Sequence, residues 1–67
     1  MNEQEFFSRL HVIQHCTDWM LVALAAEGCR QYVAELEHTA KESGVPNPRA
    51  KELEGMLPRG YQRIAHT

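Results

Sequence analysis

HVIQHCTDWMLVALAA, residues 11–26, decides the fold. It holds an apolar run, two histidines four apart, a cysteine and one candidate break at Thr17-Asp18. Threonine and aspartate are good helix N-caps, so this pair can divide the stretch into two helices. The flanking residues favour continuity. Between residue 3 and about 42 there is no proline, Gly28 is the only glycine, and LVALAAE and YVAELEHTAKE are rich in helix formers. We therefore read one long helix over about 3–42, with a break at Thr17-Asp18 and a three-helix monomer as the alternative.

SGVPNP, residues 43–48, ends that helix. Gly44 suits the position just past a helix C-terminus, with Lys41 in the last turn. Asn47 followed by Pro48 reads as an N-cap and a first helical position. The short helix that follows, about 48–57, meets Pro58, which ends it, and RGYQRIAHT remains as a C-terminal turn or tail. The expected fold is all-α, a helical hairpin forming one small domain over residues 1–67.

At 100° per residue the long helix carries two apolar seams. Phe6, Leu10, Ile13, Met20, Leu21, Leu24 and Gly28 fall on one side. Val12, Trp19, Ala26 and Val33 recur every seven residues on the other, with His15, Val22, Cys29 and Leu36 three residues after each. The short helix offers one apolar stripe, Ala50, Leu53, Met56 and Leu57, and covers one seam. The second seam needs another chain. The centre of WMLVALAA coincides with the midpoint of Cys16 and Cys29, which suits an antiparallel homodimer. Val12, His15, Trp19, Val22, Ala26, Cys29, Val33 and Leu36 are the expected dimer or partner interface. Arg59, Tyr61 and Arg63 form a cationic, aromatic tail suited to a larger protein partner.

Charge and size exclude several functions. The chain has a net charge of −2. Residues 1–47 hold three basic groups against seven acidic ones, whereas residues 48–67 hold four against two. A nucleic-acid binder shows a basic stripe over much of its surface, and none is written here. Eight apolar residues in WMLVALAA fall far short of the roughly 20 that span a bilayer. MNEQEFF lacks the basic start and apolar run of a signal peptide. Cys16 and Cys29 on one helix would stand about 20 Å apart, beyond disulfide reach. Reduced thiols and a cytoplasmic location are the expectation.

HVIQHC carries no catalytic set. A cysteine nucleophile needs a base aimed at it, and neighbours such as His15 and Cys16 point about 100° apart on a helix. His11, His15 and Asp18 share an arc of about 60°, and histidines at i and i+4 can bind one metal. The glutamate of the His-Glu-x-x-His pattern is missing. A metal-binding helical protein using His11, His15 and Asp18 is one alternative, and no cofactor is expected.

The length, the hairpin plan and AKELEGML, residues 50–57, resemble the small co-chaperones of type III secretion needle subunits. That resemblance implies a helical hairpin that pairs with a tetratricopeptide-like chaperone and a needle protein. Pro58 departs from a continuous second helix. The leading expectation is a non-enzymatic protein-binding module. It would be a small regulatory or inhibitory protein, of phage or mobile-element type, that docks a helical dimer on a larger protein.

Overall fold

Asn2 opens the first helix. Its backbone is extended, and its side chain accepts from the Glu5 amide at 2.9 Å. The helix α1, Glu3–His15, carries Glu3 and Glu5 in its first turn, where carboxylates favour the positive end of the helix dipole. The computed structural model describes residues 1–61. At Cys16 the backbone turns extended, although its amide still reaches the Val12 carbonyl at 2.9 Å.

Asp18 then caps a new helix. Its carboxylate accepts from the Met20 amide at 2.9 Å and the Leu21 amide at 3.4 Å, and α2 runs Trp19–Ser43. The single helix expected over about 3–42 is thus two, divided at Thr17-Asp18. The physical reason lies in the two seams. A three-residue link is long enough for an αα-hairpin, and folding α1 back buries Phe6, Leu10 and Ile13 against Val22, Ala26, Cys29 and Val33. A straight helix would leave both sets in water.

The hairpin is antiparallel. Phe6 near the start of α1 meets the middle of α2, where its carbonyl accepts from the Cys29 thiol at 3.7 Å. The Phe6 and Tyr32 ring centroids are 5.9 Å apart. One turn along, the side chain of Arg9 lies across Gly28.

The break at SGVPNP forms as read. Gly44 is left-handed at φ 77, a conformation that costs glycine nothing. Asn47 accepts from the Arg49 amide at 3.0 Å, and Pro48 is the first residue of α3, Pro48–Gly55. The expected end at 57 moves to 55, and Met56 and Leu57 form the turn before Pro58. A single 3-10 turn, Arg59–Tyr61, follows. Ala50, Leu53 and Leu57 are buried and complete a core drawn from all three helices. Each fully buried Leu or Phe contributes about 1.5–3 kcal/mol, and among the described residues no buried side-chain N or O atom lacks a partner.

Candidate functional site

Among the described residues, a run of large apolar side chains at the start of α2 lies outside the core. Trp19 is 80% exposed, Met20 76%, Leu24 63% and Leu21 51%. All four lie in the first two turns of α2. At 100° per residue, Met20 and Leu24 point opposite the buried row of Val22, Ala25, Ala26 and Cys29. Ala23 is also exposed and lies between Trp19 and Met20 on this face. Trp19 is exposed for a different reason. It is the first residue of α2, and helix side chains tilt toward the N-terminus, so its ring projects past the point where α1 ends.

The expected interface residues divide into two groups. Val22, Ala26, Cys29 and Val33 are buried in the chain's own core, and Val12 and Leu36 are half-buried against it. His15 and Trp19 are exposed. The heptad pattern linking Val12 to Trp19 crosses the turn between two helices, so those two residues share no continuous seam. Sequence reasoning placed Met20, Leu21 and Leu24 on the seam under the short helix. The structure leaves them in solvent, because α1 and α3 cover the opposite side of α2. Their signal was in the sequence: once α2 starts at Trp19, two apolar faces remain on one short stretch.

In the tail, Arg59 is exposed and Tyr61 packs half-buried against the core, while Arg63 lies outside the described residues. The stretch AKELEGML turns its apolar side inward, with Ala50, Leu53 and Leu57 buried.

His11 and His15 stack on the surface with ring centroids 4.4 Å apart. The Asp18 carboxylate, the third member of that trio, is engaged in capping α2. Among the described residues no group of three or more His, Cys, Asp or Glu has the arrangement to hold a metal ion. Both cysteines are free thiols. Burial pushes the Cys29 thiol up from its ordinary range, with the Arg9 charge opposing, so its neutral form is favoured.

A groove of about 480 Å³ lies between the end of α2 and the start of α3, lined by Ala40, Lys41, Gly44, Pro46, Pro48 and Lys51 among others. Its lining is mostly apolar and includes two lysines. Among the described residues no helix is long and apolar enough to cross a membrane. No protein family, curated protein or solved structure matches the chain.

Proposed function

We propose that this chain is a non-enzymatic protein-binding module, a small cytoplasmic regulatory or inhibitory protein of phage or mobile-element type. It acts as a helical homodimer on a larger protein, and that binding depends on the outward face of α2. One observation carries this reading. Trp19, Met20 and Leu24 all stand in solvent within the first two turns of α2, outside the buried core. A cluster of that kind marks a contact site more often than scattered apolar residues do. Tryptophan is also among the residues enriched at interface hot spots, because it brings a large rigid surface at low entropic cost.

Exposure also makes the test clean, since charge can be placed on this face without entering the core. Affinity capture from the source cell is compared for the wild type, Leu24→Glu and Val45→Ser. Val45 is 66% exposed in the loop after α2 and serves as the control. The expected result is a stoichiometric protein partner retained by the wild type and Val45→Ser and lost with Leu24→Glu. Equal recovery by all three would remove the α2 face from the function.

A further inference from the structure

We propose that a second copy of this chain docks antiparallel on the outward face of α2. Met20 then meets Ala23 of the partner subunit, with Trp19 and Leu24 on the two flanks of the contact. The inference rests on the protein-binding reading above and names the protein that occupies the face.

Area supports a second copy. An aromatic side chain alone presents about 150–250 Å², and with Met20, Ala23 and Leu24 exposed on the same side as Trp19 the face offers at most on the order of 500 Å². Two such faces together bury at most about 1,000 Å², the level at which a specific interface begins. The face is two helical turns long and matches its own length.

Shape and charge fix the direction. An antiparallel crossing centred between residues 21 and 22 sets Met20 against the smaller Ala23, which lets the two helices approach closely. The apolar face carries no charged side chain. The next positions along the same side are Glu27 and Arg30, both exposed. A parallel pair would set Glu27 against Glu27 and Arg30 against Arg30, which is repulsive. The antiparallel pair moves the two Glu27 carboxylates about 16 Å apart along the axis. Asp18 and Glu27 bracket the patch with negative charge, which suits a lipid surface poorly.

The experiment uses the full chain carrying Cys16→Ser, which leaves Cys29 as the buried thiol. Sedimentation equilibrium from micromolar to millimolar concentration should show a mass rising toward twice the 7.7 kDa of one chain. Leu24→Glu should raise the dissociation constant at least about tenfold while the circular dichroism spectrum stays helical. Mixed under oxidising conditions, Met20→Cys and Ala23→Cys chains should form the heterodisulfide in preference to either self-disulfide. Preferential self-disulfides would overturn the antiparallel register. A chain that stays at 7.7 kDa at millimolar concentration would overturn the second copy as occupant. If Leu24→Glu still abolishes partner capture in that case, the protein-binding reading stands without this one. If it changes neither mass nor capture, both fall.

Discussion

Glu3 and Arg49, forty-six residues apart, join the first turn of α1 to the first turn of α3. The Arg49 Nε donates to the Glu3 carboxylate at 3.0 Å, and its Nη2 donates to the same oxygen. Arg49 Nη1 also reaches Glu52 at 3.0 Å, and its guanidinium lies 6.0 Å from the centre of the Phe7 ring. The hydrogen bond from Arg49 holds the Glu3 carboxyl below its ordinary range. A depressed carboxylate stabilises the fold fully above its unfolded value of about 4.3, and the contribution is lost as pH falls through the lower folded value. Glu3→Gln should therefore melt below the wild type at neutral pH, with the gap closing in acid. Both partners are well exposed, so the gap should be small. Paired melting curves at neutral pH and in acid check it, and a gap independent of pH would rule out the ion pair as its source.

Asp18 sets the hinge between α1 and α2. Removing a capping side chain costs about 0.5–2 kcal/mol, so Asp18→Ala should lower the melting temperature by several degrees. Alanine also favours helix through the link, and small-angle scattering should then detect a population longer than the folded hairpin. Unchanged stability with unchanged dimensions would mean that core packing alone holds the turn.

The two breaks between helices differed in how openly the sequence declared them. SGVPNP concentrates a left-handed glycine, a capping asparagine and a proline at the first helical position, and each acts locally, so the second break was legible residue by residue. Thr17-Asp18 is a weaker local signal between strong helix formers. What decides it is tertiary: the burial of Phe6, Leu10 and Ile13 on α2. A seven-residue repeat counted across that turn joined Val12 and His15 of α1 to the α2 row of Trp19, Val22, Ala26, Cys29 and Val33. Trp19, at the first position of α2, lies beyond the cover that buries the rest of that row. The candidate face was legible only in part for the same reason. Trp19 stood out by its type, while Met20 and Leu24 were assigned to a side that α1 and α3 do not cover.

Gly28 allows Arg9 of α1 to cross α2. A Cβ at Gly28 would stand 3.0 Å from the Arg9 Cδ and 3.0 Å from its Nη1, tighter than most real contacts, so the arginine would have to give by a few tenths of an ångström. The obstacle is the outer part of a flexible side chain, so it can move aside. Replacing a mid-helix glycine by alanine gains about 0.5–1 kcal/mol, which should offset the displacement. Gly28→Ala is expected to melt at or slightly above the wild type in a thermal scan. A loss above about 1 kcal/mol would mean that Arg9 is fixed in place and contributes more to the hairpin than a surface cation does.

The same scan separates the core from the outward face. Leu53 and Phe6 are fully buried, and truncating such residues costs about 2–5 kcal/mol for Leu→Ala and about 3–5 kcal/mol for Phe→Ala. Either loss is comparable to the whole margin of a small domain, so Leu53→Ala and Phe6→Ala should be largely unfolded at moderate temperature. From the sequence, Trp19 was expected to be covered in a dimer or partner seam. At 80% exposure it stands outside the chain's own core. In the dilute chain, where no partner covers the ring, Trp19→Ala should change folding stability by no more than about 0.5 kcal/mol. Because Trp19 is the only tryptophan, its fluorescence reports the face directly. Emission should be that of a solvated indole at low concentration and shift to the blue as concentration rises. The shift should disappear in Leu24→Glu, whose change lies five residues along the helix from the ring. A blue-shifted, concentration-independent emission, together with a large folding loss in Trp19→Ala, would place the ring inside the core and remove the exposed face on which the binding reading stands.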